Sequence, residues 1–211
     1  MKIFDYQGYR FTDDGVVSSF DLNELYNEAE NYSIEQNYKI IHIIPQCYKI
    51  DDETVELNPV GIAGRKIEAR YKLITVPAIQ LTNINRVFEK LDVDVENVTF
   101  APIALAEAVL TEDEKELGSV VLDIGAGTTG MAVFYDSVLV HTALIPFGGN
   151  VISKDIKEGY SILLKWAEQL KVKHGEALGD QANENKMVTI PAYNGWEPKE
   201  ISCRSLAFTI Q

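Results

Sequence analysis

The stretch that decides the fold is Ser119-Val120-Val121-Leu122-Asp123-Ile124-Gly125-Ala126-Gly127-Thr128-Thr129. It predicts an apolar strand that runs through an aspartate into glycines, and then a second strand over residues 130–135. A third strand over 138–145 follows after another short turn. Tight turns join antiparallel neighbours, whereas parallel strands need a long crossover, so we expect an antiparallel meander.

The glycine-rich turn between the first two strands has the chemistry of an anion site. Gly125 and Gly127 permit positive φ angles and let backbone N–H groups approach an anion closely. The hydroxyls of Thr128 and Thr129 add donors for phosphate oxygens. The carboxylate of Asp123 cannot bind phosphate directly, so its expected task is to hold a hydrated Mg²⁺ or the water that attacks a phosphate.

Two common nucleotide motifs are excluded for this turn. The chain has no GxxxxGK[ST] sequence, and Gly-Ala-Gly opens onto a strand, where a dinucleotide-binding turn opens onto a helix. An ordinary β-turn with an exposed aspartate contains the same residue types, so the turn alone leaves a purely structural role open.

The residues before this stretch predict a small α+β layer. Residues 2–20 alternate apolar and polar side chains around Asp13-Asp14-Gly15, which predicts a hairpin or two short strands. The order strand, helix, strand, strand packs one helix on a sheet face. The later segments of the layer are a helix over 21–31 capped by Asp21, a strand over 38–44 that Pro45 ends or bends, a turn at Asn58-Pro59-Val60-Gly61 and a strand over 67–76.

The rest of the chain is assigned from the same periodicities, with no internal repeat. We expect helices over 79–91, 103–110, 151–159 and 161–173, a strand over 95–100, a solvated acidic connector over 111–116 that ends at Gly118, a polar turn-rich region over 180–198 that includes Asn194-Gly195, and the start of a new element at 202–211.

Composition narrows the class of protein. The 211 residues carry a formal net charge of −13, which argues against nucleic acid and against unaided docking on an anionic membrane, because both need clustered Lys and Arg. Cys47 and Cys203 lie far apart, and the three histidines show no metal-ligand spacing. Neither a signal peptide nor an apolar run of roughly 18 residues is present, so a soluble cytoplasmic protein is expected.

Several motifs together resemble the FtsA family of bacterial cell-division proteins, in the order in which that family has them. The resemblance covers nearly the whole chain. Its motifs are residues 43–48 (IIPQCY), 58–64 (NPVGIAG), 108–118 (AVLTEDEKELG), 120–129 (VVLDIGAGTT), 141–150 (HTALIPFGGN) and 167–175 (AEQLKVKHG).

The resemblance implies a fold of mixed α+β and α/β class. It would be a fragment of the actin-like (ribonuclease H-like) ATPase fold that carries an inserted strand-helix-strand-strand subdomain, known as SHS2 or 1C. It also implies four segments: the inserted subdomain over 1–92, the end of the first actin-like subdomain over 93–118, the second half with its phosphate loop over 119–152, and the start of an outer subdomain over 153–211.

The resemblance also assigns site residues for ATP with Mg²⁺. Asp123 would position the ion, through water, and the attacking water. Ala126 stands where a third glycine is usual, and Gly130 stands where an aspartate is often found, which removes a polar contact. The residues that would contact the nucleotide are Gly125, Ala126, Gly127, Thr128, Thr129 at the phosphates, Gly148, Gly149, Asn150 at the turn entering a helix, and Glu168, Lys171 at the ribose and adenine.

The implied function is an ATP-binding, self-assembling adaptor that links the FtsZ ring to the inner face of the membrane at the division site. It would recruit later division proteins through the inserted subdomain, and hydrolyse ATP weakly at most. A first phosphate hairpin, an adenosine-side glycine motif and a membrane-binding terminal helix are not found in these residues, so the fragment is expected to bind ATP weakly or not at all. A pilus-assembly protein of the PilM type, and a chaperone or sugar-kinase type of ATPase, are the alternatives.

Overall fold

A computed structural model describes residues 1–55, 58–191 and 197–211. The chain divides into two compact units, one made of residues 1–123 and 131–143 and the other of residues 124–130 and 144–211. The predicted turn at Asn194-Gly195 lies outside the described residues. The four-segment division expected from the family resemblance stays a prediction.

The first unit begins with a four-stranded sheet in the order β1-β4-β2-β3. One helix, α1, packs on it over a core that contains Leu25, Ile67 and Leu73. The predicted order strand, helix, strand, strand is therefore confirmed, with a short strand β3 added. The elements are β1 (Lys2–Phe11), α1 (Ser19–Glu30), β2 (Tyr38–Ile50), β3 (Glu53–Val55), β4 (Lys66–Pro77) and α2 (Ala78–Glu89).

The hairpin expected around Asp13-Asp14-Gly15 is wrong. Strand β1 pairs along its whole length with β4, with Tyr6 opposite Tyr71. After the turn the backbone forms one isolated bridge, from Val16 to Ala63. It has no room for a second strand because Ser18 already caps the next helix.

The cap of α1 also differs from the prediction. The N-cap is Ser18, whose hydroxyl accepts from the Asp21 N–H at 3.3 Å, and the Asp21 carboxylate accepts from the Ser18 N–H at 2.9 Å. This reciprocal pair is a capping box, with aspartate at its third helical position. The pKa of the Asp21 carboxyl lies below its usual value. The hydrogen bond from the Ser18 hydroxyl is the largest cause, and the Ser18 backbone N–H and Arg10 lower the pKa further.

Pro45 does not end β2, which continues to Ile50. The register with β4 shifts between Ile40 and His42 and again between Pro45 and Cys47. A residue without an N–H is tolerated on an unpaired strand edge or beside a bulge. Pro45 lies beside the second shift, and within the described residues β3 pairs only with residues 48–50, so one side of β2 has no described partner strand there.

Two further expectations for the first unit are wrong. Residues 93–100 form no strand, and the Phe100 N–H donates to His42 Nε2 at 2.9 Å. The acidic connector is a helix, α4 (Glu112–Leu117), which follows α3 (Ala101–Val109). A capping box between Thr111 and Glu114 starts it, and Lys115 is buried between carboxylates of Glu107 and Glu112.

The expected three-stranded meander is confirmed as β5 (Ser119–Ile124), β6 (Thr129–Tyr135) and β7 (Val138–Ile145), paired in that order. Asp136 and Ser137 both have positive φ, 49° and 60°, as a two-residue hairpin turn requires. Such a short connection permits only antiparallel pairing of β6 with β7.

The second unit packs helices on a small two-stranded sheet. Its core holds Ile156, Ala167, Leu170, Ile201 and Leu206. The region predicted as polar turns contains β8, and the element expected at the end of the sequence is a helix. The bounds are α5 (Gly149–Tyr160), α6 (Leu164–His174), β8 (Met187–Ile190), β9 (Lys199–Ser202) and α7 (Cys203–Ile210).

Candidate functional site

The loop between β5 and β6 is a tight, exposed turn of residues 125–128. The Gly125 N–H donates to the Thr128 carbonyl at 2.9 Å, which closes the turn. In the described part of the chain, the N–H groups of Ala126, Gly127 and Thr128 find no acceptor. Three successive exposed amides without partners are available to donate to an anion. None of residues 125–128 has a positive φ, so the positive φ that Gly125 and Gly127 would permit is not used here.

A second segment, at the start of α5, donates hydrogen bonds to two backbone carbonyls of this loop. The Gly149 N–H donates to the Gly125 carbonyl at 3.0 Å, and the Asn150 N–H donates to the Ala126 carbonyl at 2.7 Å. The first amides of a helix have no partner within the helix, so they are available for such a contact. The structure thus brings together the two glycine-containing segments that the sequence singled out, residues 125–128 and 148–150.

Gly148 has a steric role in this contact. It is buried and extended, and a Cβ at this position would lie 2.5 Å from the Gly125 carbonyl oxygen and 2.7 Å from that of Ala126. Gly127 differs, since a Cβ there meets nothing within 4 Å. The methyl of Ala126 is likewise on an exposed residue.

The two threonines of the loop have different partners. The Thr129 hydroxyl donates to the Phe147 carbonyl at 2.8 Å, so its proton ties β6 to the segment before Gly148. The Thr128 hydroxyl makes no hydrogen bond with any described residue, and Thr128 is exposed. Of the two hydroxyls, that of Thr128 is the one left for an anion.

Glu168 and Lys171 on α6 are more than an exposed ion pair. Lys171 Nζ donates to Glu168 Oε2 at 2.8 Å and to the Gly149 carbonyl at 2.9 Å. Ser153 on α5 also donates its hydroxyl to Glu168 Oε2. The Lys171 ammonium, followed by the Ser153 hydroxyl, holds the pKa of the Glu168 carboxyl below its usual value, so at neutral pH this side chain only accepts hydrogen bonds.

Ser153 was missed at the sequence level. It is 1% exposed and lies four residues after Gly149, on the inner face of α5. Its position one helical turn beyond a Gly-Gly-Asn start is the signal that could have found it.

Asp123 is the penultimate residue of β5 and is half-buried. Its carboxylate makes no hydrogen bond or ion pair with any residue that the structure describes. Across residues 1–55, 58–191 and 197–211 no cluster of three His, Cys, Asp or Glu could hold a metal ion. A single carboxylate with free oxygens suits Mg²⁺, which keeps most of its waters and takes its other ligands from substrate phosphates.

Comparison with known families gives two matches along the chain. Residues 1–75 match the SHS2 domain inserted in FtsA, and residues 120–207 match the cell division protein FtsA. The second match includes the loop, the glycine turn and the Glu168–Lys171 pair.

Individual relatives give the same result. The chain is 35% identical over 195 residues to the cell division protein FtsA of Escherichia coli strain K12, which covers 92% of this chain and 46% of that protein. It is 32% identical over 204 residues to FtsA of Neisseria meningitidis serogroup B, covering 97% and 49%. The chain therefore spans about half the length of the curated relatives it matches.

Among solved structures, the PilM–PilN type IV pilus biogenesis complex resembles this chain with a TM-score of 0.52 at 15% identity, over 82% of this chain and 48% of that one. At this identity the likeness shows the fold alone. Together with the inserted-domain match it confirms the expected fold class, an actin-like fold that carries an SHS2 subdomain. None of the helices within the described ranges combines the length and the apolar character needed to cross a bilayer. Two family models match this chain, and FtsA relatives align over more than nine-tenths of its length. This chain is therefore a member of the FtsA family of cell-division proteins.

Proposed function

We propose that the second unit supplies one side of a site for ATP with Mg²⁺. The observation that carries the proposal is the set of three unpartnered amides at Ala126, Gly127 and Thr128, held from behind by the start of α5. Fixed backbone donors cost no reorganisation when an anion arrives, which is why loops of this kind bind phosphates.

The other end of the nucleotide is assigned to α6. The ionised Glu168 carboxylate is 46% exposed and suits the hydroxyl donors of a ribose, while Lys171 lies beside it. Mg²⁺, when bound, supplies charge neutralisation between the phosphates, and Asp123 is the carboxylate that would hold its waters. Gly148, Gly149 and Asn150 then act indirectly, by fixing the loop that the phosphates contact.

The loop offers a matched pair of variants that tests the phosphate assignment. Gly127→Ala and Gly127→Asp both fit, because no atom lies within 4 Å of the added Cβ. A carboxylate about 4 Å from a phosphate costs about 1 kcal/mol in bulk water and about 4 kcal/mol at a protein surface. We expect calorimetry to show ATP affinity lowered roughly tenfold or more by Gly127→Asp and kept by Gly127→Ala. Equal affinities in the two variants would contradict the assignment.

At the level of the whole protein, family membership supports a role as the adaptor of the division ring. The protein would bind ATP, assemble with copies of itself, and link FtsZ filaments to the inner face of the cell membrane. The inserted SHS2 subdomain would recruit later division proteins. Any ATP hydrolysis would be slow, and the membrane contact would come from a terminal helix, since the chain's charge of −13 opposes direct contact with anionic lipid.

Sedimentation tests this adaptor role. The protein, produced at the length of its relatives, is centrifuged with FtsZ filaments, with lipid vesicles and with both. It is expected to pellet with each alone and to bring filaments and vesicles into one pellet. If it stays in the supernatant while FtsZ filaments pellet, the proposed link to FtsZ is wrong.

A further inference from the structure

Gly149 lies between the two ends of the proposed nucleotide site. Its N–H donates to the Gly125 carbonyl of the phosphate loop at 3.0 Å. Its own carbonyl accepts from Lys171 Nζ at 2.9 Å and from the Ser153 hydroxyl at 3.3 Å. Gly149 is therefore the single residue through which a displacement of Lys171 or Ser153 would shift the loop.

The donors on Gly149 are also the donors on Glu168. Lys171 Nζ contacts the Gly149 carbonyl and Glu168 Oε2 at the same time. Ser153 has one hydroxyl proton and two acceptors within reach, the same carbonyl and the same carboxylate oxygen. A ligand that hydrogen-bonds to the Glu168 carboxylate therefore changes the hydrogen bonds that Lys171 and Ser153 donate to the Gly149 carbonyl.

The pair still has capacity for a ligand. An ammonium has three protons, and among the described residues Lys171 uses two of them. Glu168 Oε1 accepts from no described residue, and the side chain is 46% exposed. One donor and one acceptor thus remain where a nucleoside would contact α6.

We infer that Lys171 is a positioning residue that couples the two ends of the site, so that a nucleoside bound at Glu168 strengthens the binding of phosphate at the loop. The inference rests on the proposed nucleotide site. Coupling of this kind is reciprocal, because each ligand changes the affinity of the other by the same factor.

The test measures coupling with separate ligands on the 211-residue chain. Inorganic pyrophosphate is titrated with and without saturating adenosine. The amide resonances of the loop at residues 125–128 and of α6 are followed by nuclear magnetic resonance. We expect adenosine to raise pyrophosphate affinity by about fivefold, the lower end of typical coupling factors. Lys171→Met should remove that factor. Lys173→Met, which deletes the same charge at an exposed position two residues along the helix, should keep it.

A second readout needs no ligand. In Lys171→Met the Gly149 and Asn150 amides should exchange with solvent about tenfold faster than in Lys173→Met, because their loop contacts are less well held. Coupling or protection that is equal in the two variants overturns the inference and leaves the proposed site intact. If the unmodified chain binds neither pyrophosphate nor adenosine, the proposed site and the inference fail together.

Discussion

Replacing Gly148 with alanine tests the packing of the site most sharply. The added methyl carbon would lie 2.5 Å and 2.7 Å from the carbonyl oxygens of Gly125 and Ala126. Both oxygens already accept hydrogen bonds from the Gly149 and Asn150 amides, so neither can turn away without losing a partner. The clash is with backbone atoms, which cannot rotate out of the way as a side chain can.

The size of the effect follows from overpacking, which costs about 1–3 kcal/mol in a well-packed site. Gly148 has an extended backbone, with φ of −164°, so no cost arises from a forbidden backbone angle. Gly127→Ala, in the loop that Gly148 packs against, is the control, since its Cβ meets nothing within 4 Å. That variant is expected to be neutral, or more stable by about 0.4–1 kcal/mol through its unfolded state.

Urea denaturation of both variants measures the free energy of unfolding, and amide exchange at Asn150 reports the local contact. We expect Gly148→Ala to lose about 1–3 kcal/mol and to expose the Asn150 amide, while Gly127→Ala does neither. A Gly148→Ala protein as stable as the control, with its Asn150 amide still protected, would refute the packing that we describe.

Two further predictions concern the first unit. Ser18→Ala removes the N-cap of α1 and its bond to Asp21, and denaturation should show a loss of about 1 kcal/mol; Ser19→Ala, one residue along, is the control and should cost much less. Burial lowers the pKa of His42 below 6.5, and its Nε2 accepts the Phe100 N–H, so the folded state holds the neutral ring. As pH falls below 6.5 the unfolded chain binds a proton before the folded chain does, and stability is lost down to the folded pKa. His42→Gln, which can still accept but does not titrate, should lose less stability than the unmodified protein between about pH 7 and pH 5; parallel pH profiles would contradict this.

The strongly periodic segments could be predicted from sequence because burial alone fixes them. Strand β4 alternates buried and less buried residues, and the β5-β6-β7 meander carries its turn residues at the expected places. The glycine-rich turn at residues 125–128 and the turn at Gly148 were also singled out from their residues, and their role at a phosphate stays a prediction. Their proximity was not predicted, because it depends on long-range hydrogen bonds from the Gly149 and Asn150 amides.

The errors share a physical cause, which is that local pattern gave way to a specific contact. The hairpin around Asp13-Asp14-Gly15 failed because pairing of ten residues of β1 with β4 outcompetes a short local hairpin. The acidic connector became α4 because Thr111 and Glu114 form a capping box and Lys115 forms ion pairs with two nearby carboxylates. Ser153 was missed because its partner, Glu168, lies fifteen residues away on another helix.

The central claim is that the amides of Ala126, Gly127 and Thr128 form the phosphate side of a nucleotide site. Its most direct test is a titration of the ¹⁵N-labelled 211-residue chain with ATP and Mg²⁺, followed by nuclear magnetic resonance. We predict weak binding, with a dissociation constant on the order of 1 mM, and the largest shifts at those three amides. If those amides stay unmoved at saturation while resonances elsewhere shift, the claim is contradicted.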